Sequence, residues 1–86
     1  MKRYVGGFDV RKDIVYSWPS ENAMREAKKT RDPSQRMSHT FAEALDLELI
    51  HPLVVYDLIL ANEETGMKIP LSIKEAVEKK LEGLSE

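Results

Sequence analysis

Apolar residues at Tyr4, Phe8 and Val10 share a parity with Ile14, Tyr16 and Trp18, the period-two pattern of a strand with one apolar face. A three-residue loop, Arg11-Lys12-Asp13, closes this stretch into a β-hairpin over residues 1–18. In that register Val10 opposes Ile14, Phe8 opposes Tyr16 and Gly6 opposes Trp18. Aromatic side chains then face each other and Trp18 lies over a glycine, both favourable cross-strand arrangements. Phe8 and Tyr16 are expected to be buried beneath a helix, since a two-stranded sheet needs one face covered. Gly6-Gly7 marks a bulge or a close approach by another backbone.

Pro19 ends the second strand, and the pattern changes to helical spacing. Ser20 is the expected N-cap of a helix from about Glu21 to Arg31, whose thin apolar side (Ala23, Met24, Ala27) places it on the surface. Asp32-Pro33-Ser34-Gln35 reads as a second helix start, with Asp as cap and Pro at the first helical position. Met37, Phe41, Ala44 and Leu45 follow at helical intervals. Leu45 to Leu49 alternates strictly and fits a short strand, but good helix formers favour helix to about Ile50. Pro52 opens a third helix, apolar from Leu53 to Ala61 except at Asp57. Such a helix is expected to be central or at a subunit interface. Gly66 closes this helix in the left-handed conformation. Met67, Ile69 and Leu71 suggest a brief edge strand. Ser72 with Glu75 forms a capping box, and Ile73, Ala76, Val77, Leu81 and Leu84 make an amphipathic stripe to the end of the chain. The fold class is therefore α+β, an N-terminal hairpin packed against three to four helices (residues 20–86) in one domain.

Eighty-six residues with no cysteine leave neither disulfides nor thiolate-bound zinc to brace a small core. Self-association is the expected remedy. Neither a membrane-length apolar run nor a signal-peptide pattern occurs, so a cytoplasmic protein is expected. The net charge of −2 hides a division: residues 1–36 hold nine Lys/Arg against five acids, and residues 37–86 hold four against ten. Such asymmetry suits a partner for the basic half or head-to-tail contact between copies.

No phosphate-cradling glycine loop, nucleophile elbow or metalloprotease helix is present. No spacing links a serine or threonine to His39 or His51. His39 and Glu43, four apart, supply two metal ligands where three or four are needed. His51 before Pro52 reads as a cap or turn residue. Asp57 shares a helical face with Val54, Ala61 and Glu64, expected toward solvent. A helix-turn-helix about Gly66 fails, because Pro70 falls where an acid-rich second helix would begin. No catalytic residue, metal or cofactor is assigned. One constellation remains. Tyr4, Phe8, Tyr16 and Trp18 lie among Lys2, Arg3, Arg11 and Lys12, and Arg25, Lys28 and Lys29 form a helical basic stripe followed by Arg31 and Arg36. Aromatics that stack bases and cations that hold phosphates are what single-strand binders use.

The expected function is a non-catalytic binding or regulatory protein that works as a homo-oligomer, with a protein partner. The alternative is a binder of nucleic acid or a phosphate-bearing ligand through Arg11, Lys12, Arg25, Lys28 and Lys29. An enzyme with an unrecognised site ranks third.

Overall fold

The computed structural model describes residues 3–84. Strands β1 (Tyr4–Asp9) and β2 (Ile14–Trp18) pair antiparallel as a hairpin. The loop, however, has four residues rather than three, so Asp9 opposes Ile14, Phe8 opposes Val15 and Gly7 opposes Tyr16. Turn chemistry sets this register. The Asp9 carboxylate accepts from the backbone N–H groups of Arg11 and Lys12 at 3.0 and 3.3 Å, and Asp13 adopts a left-handed φ of 57°, which aspartate tolerates better than most residues. A bulge between Val5 and Gly7 then brings Val5 opposite Ser17 and Tyr4 opposite Trp18. A one-residue slip exchanges the faces of a strand. Val15 and Ser17 therefore turn one way, Tyr16 and Trp18 the other.

The expected facing of Phe8 and Tyr16 is thus overturned. Phe8 shares Val15's face but remains 46% exposed, its ring meeting Phe41 edge-on with centroids 6.2 Å apart. Gly6 sits in the bulge, and side chains rather than another backbone crowd it. A Cβ there would stand 2.6 Å from the Trp18 ring and closer still to the Met24 sulfur.

Helix α1 (Glu21–Thr30) forms as read, with Ser20 Oγ accepting from the Ala23 N–H. It buries no residue fully and ends at Arg31, left-handed at φ 57°. The expected helix from Pro33 to Ile50 does not form. Asp32-Pro33 instead opens a tight turn, for which Asp at the first position and Pro at the second are equally suited. The Asp32 carboxylate accepts from the Ser34 N–H and hydroxyl, and the Arg36 N–H donates to the Pro33 carbonyl. The chain then adds β3 (Met37–His39) antiparallel to β2, giving the sheet order β1-β2-β3. This strand satisfies backbone groups that β2 would otherwise present at an open edge. Thr40 caps a short α2 (Phe41–Asp46), which stops before Glu48 takes a left-handed φ of 58°.

Helix α3 (Pro52–Glu64) begins as expected but is not central. Only Val55 and Ile59 are buried, and the helix packs on α4 (Leu71–Leu84) at the margin of the fold. Gly66 is left-handed at φ 85°. Residues 67–70 form no strand; Ile69 enters the core instead. Nor does Ser72 cap α4, because the Pro70 carbonyl already accepts from Ile73 and Lys74. The Ser72 hydroxyl donates to Asp13 Oδ2 at 3.3 Å, while Asp13 Oδ1 accepts from the Phe41 N–H at 2.9 Å. One turn residue thereby ties the hairpin to two helices.

The architecture is α+β. One sheet face meets α2 and, through a shared core of Val15, Phe41, Leu45, Val55, Ile73 and Val77, the helices beyond it. Trp18 and Met24 lie on the other face with α1. The result is thin, 38 × 32 × 16 Å. Its radius of gyration is 13.6 Å, against about 12 Å for a compact chain of this length. Its accessible surface is 6169 Å², against roughly 5,200 Å² for a folded monomer of this mass.

Candidate functional site

Two arrangements bring chemistry together. The first is buried. The β3 strand sets His39 opposite Val15, next to Ser17, and the Ser17 Oγ lies 2.8 Å from His39 Nε2. On its other side His39 Nδ1 is 2.5 Å from Glu43 on the first turn of α2. Nδ1–H donates to the Glu43 carboxylate, and in the neutral ring Nε2 then accepts from the Ser17 hydroxyl. Arg3 Nε donates to the same Ser17 oxygen at 2.8 Å, and its Nη2 donates to the Ser17 and Gln35 carbonyls. The order of groups is that of a hydrolase triad. The surroundings are not. Ser17 is wholly buried and the His39 side chain 1% exposed, so no substrate carbonyl reaches Oγ in this conformation. Both imidazole nitrogens are occupied, which leaves neither for the metal considered from His39 and Glu43. The relay instead joins the sheet to α2 and satisfies polar groups that would be costly to bury unpaired.

The second arrangement is open. An indentation of about 490 Å³ lies where the hairpin meets the C-terminal end of α1, lined by Gly6, Tyr16, Trp18, Lys28, Arg31 and Arg36 among others. Trp18 is buried, Tyr16 half-buried and the three cations exposed, so aromatics form the floor and charges the rim. Arg36 lies over the Tyr16 ring, its guanidinium carbon 4.6 Å from the centroid. Lys28 Nζ donates to the Gly6 carbonyl at 2.7 Å. Asp32 is the one carboxylate of the lining. Hydrogen bonds from the Ser34 hydroxyl and N–H hold its carboxyl below the usual range.

Arg25, Lys28 and Lys29 stand together on the outer surface of α1, with Arg25 paired to Glu21 at 2.7 Å. Arg11 and Lys12 sit in the hairpin turn and line neither this surface nor the aromatic floor. Lys2 lies outside the described residues. Arg31 and Arg36 join the aromatics through the turn at Asp32-Pro33 and the unforeseen β3, a long-range placement that helical periodicity could not signal.

Another hollow, about 380 Å³ beside the α2–α3 connection, includes Asp46, His51 and Lys80. Its chemistry is already committed: Lys80 pairs with Asp46 at 2.7 Å, and His51 Nδ1 accepts from the Leu53 N–H as the cap of α3. Asp57 is exposed with Val54, Ala61 and Glu64. Among the described residues no group of three or more His, Asp and Glu is placed to hold a metal, and no helix is long and apolar enough to cross a membrane. Comparison with family models, curated proteins and solved structures finds no match to this chain.

Proposed function

We propose that the chain is a non-catalytic binding or regulatory protein that acts as a homo-oligomer, assembled through the outward face of α3. The observation that carries this reading is that Leu53, Val54, Tyr56 and Leu60 are between 44% and 57% exposed on one helix. Leu53, Tyr56 and Leu60, at i, i+3 and i+7, form a continuous stripe suited to another helix. The excess surface of the thin fold, roughly 1,000 Å² above the expectation for a compact monomer, is of the size one partner contributes to a stable interface. A second copy suits the charges as well. At the C-terminal end of α3, which has no basic residue in its last turn, Glu63 is already paired with Lys74 of α4 at 2.6 Å, which leaves Glu64. A carboxylate there opposes the helix dipole. An antiparallel two-fold pairing moves it beside the partner's positive N-terminal end. Light scattering at micromolar concentration should give about twice 9.9 kDa, and Leu60→Asp should return the mass to one chain without loss of helicity. A wild-type mass of one chain defeats the reading.

A second reading is favoured by α1, whose Arg25, Lys28 and Lys29 are all exposed on a helix with no fully buried residue. Here the basic N-terminal half binds nucleic acid or another phosphate-bearing ligand. Replacing these three by neutral residues should flatten the dependence of log affinity on log salt by about one unit per lost contact. An unchanged slope makes the stripe a solvated face.

A further inference from the structure

We infer that the recess floored by Tyr16 and Trp18 and rimmed by Lys28, Arg31 and Arg36 is a site for one nucleoside phosphate unit. The base stacks on the Arg36–Tyr16 pair, and Lys28 and Arg31 hold the phosphate. The inference rests on the phosphate-binding reading of the basic half and names its site.

Four observations lead here. Arg36 covers the Tyr16 ring at 4.6 Å, and a guanidinium lying on an aromatic ring presents a cationic planar surface on which bases stack. Lys28 is anchored by its bond to the Gly6 carbonyl, which uses one of its three N–H donors and leaves two for an anion. Arg31 adopts a left-handed φ of 57° at the end of α1, a position where glycine is less strained. An arginine held there places its charge at the rim. Finally, the Trp18 indole N–H is buried without an acceptor among the described residues, in a side chain that itself lines the recess. Phosphate alone explains only the cations. A base with a flat face suits the Arg36–Tyr16 pair as well. Asp32, the one acid of the lining, keeps its charge but is outnumbered by Lys28, Arg31 and Arg36, so the local balance is positive.

The chain has a single tryptophan, so its indole N–H gives one resonance, from a side chain that lines the recess. The experiment titrates the full chain with inorganic phosphate, nucleoside monophosphates and a short single-stranded oligonucleotide, following that resonance and the heat of binding. The expected result is a shift of the indole signal with monophosphate and oligonucleotide, with binding at least tenfold weaker for phosphate. Arg36→Ala and Tyr16→Ala should each weaken binding roughly tenfold, the scale of one lost base stack. Arg31→Gly should weaken binding while leaving the thermal midpoint unchanged or higher, because glycine relieves the left-handed strain; this separates a ligand contact from a folding defect. A response to the oligonucleotide alone assigns the unit to a strand, and a response to both shows that a free nucleotide suffices. If the chain binds polyanions with no indole shift, or if Arg36→Ala and Arg31→Gly bind as wild type, the recess is overturned while the basic-face reading stands. If nothing binds at low salt, both fall.

Discussion

At the residue scale, Gly6 shows how one missing methyl group organises a face of the sheet. The Trp18 ring and Met24 sulfur occupy the space a Cβ would need. Met24 can swing aside, but the indole is rigid and buried. Gly6→Ala should therefore cost about 1–3 kcal/mol, read as a lower midpoint in urea unfolding. Phe8 and Phe41 provide a contrast in the same contact. Phe41 is fully buried and Phe8 nearly half exposed, so Phe41→Ala should cost about 3–5 kcal/mol and Phe8→Ala only about 1 kcal/mol. Equal losses would mean that Phe8 is covered in solution. Ser17→Ala removes the hydroxyl shared by His39 and Arg3 and leaves a buried imidazole nitrogen unpaired. A loss of about 1–3 kcal/mol follows. The bulge at Gly6 and its closeness to Trp18 were legible in the sequence; the Ser17–His39 contact was not, because the two are 22 positions apart and meet only across a strand pair.

At the element scale, local signals hold at Ser20, Pro52 and Gly66 and fail at Ser72, whose hydroxyl goes to Asp13 instead of capping α4. Ser20 caps α1, Pro52 opens α3 and Gly66 takes a left-handed turn after it, as their short-range chemistry requires. The region from Asp32 to Ile50 went otherwise, because Asp-Pro begins helices and turns alike. What chose between them was the open edge of β2, a demand made by another part of the chain. Thr40, not Asp32, caps the helix that does form; Thr40→Ala should destabilise by about 1 kcal/mol. Helix α2 is tied to α4 by Asp46 and Lys80. Hydrogen bonding from Lys80, and then its charge, hold the Asp46 carboxyl below its ordinary 3.8. A carboxylate depressed in this way contributes its full stabilisation above 3.8 and loses it as pH falls through the lower folded value. Asp46→Asn should thus be slightly less stable than wild type at neutral pH, the small gap of an exposed pair. The gap should close in acid below 3.8, as comparison of urea midpoints at the two pH values would show.

At the scale of the whole molecule, the decisive quantity is thickness. A sheet with α1 on one side and a single layer of helices on the other measures 16 Å through its thinnest direction, and α3 is left with one buried stripe. If the exposed stripe is covered by a second copy, folding and association are linked, and the thermal midpoint should rise with protein concentration. A midpoint constant over a hundredfold dilution would place the exposed leucines of α3 in solvent. Five of the nine cations of residues 1–36 lie on α1 or in the turn that follows it, whereas α3 carries three acids and no cation. The surfaces proposed for anion binding and for self-association thus belong to different elements, α1 with the hairpin and α3.

The amino-acid sequence by itself determined the class, α+β, the hairpin as an element, three helix starts or stops governed by Ser20, Pro52 and Gly66, and the division of charge. These follow from short-range chemistry: caps, fixed or permissive φ angles, alternation and composition. Tertiary structure alone decided the register of the hairpin, the third strand, the position of α3 and the meeting of Arg31 and Arg36 with Tyr16 and Trp18. Each of these depends on which of two locally acceptable conformations satisfies a distant partner. The Asp9 turn shifted β2 by one residue, that shift chose which aromatics left the core, and the free edge of β2 drew Met37–His39 out of a helical pattern. The balance between such alternatives is a kcal/mol or so of local preference, less than what pairing a strand or burying a ring supplies.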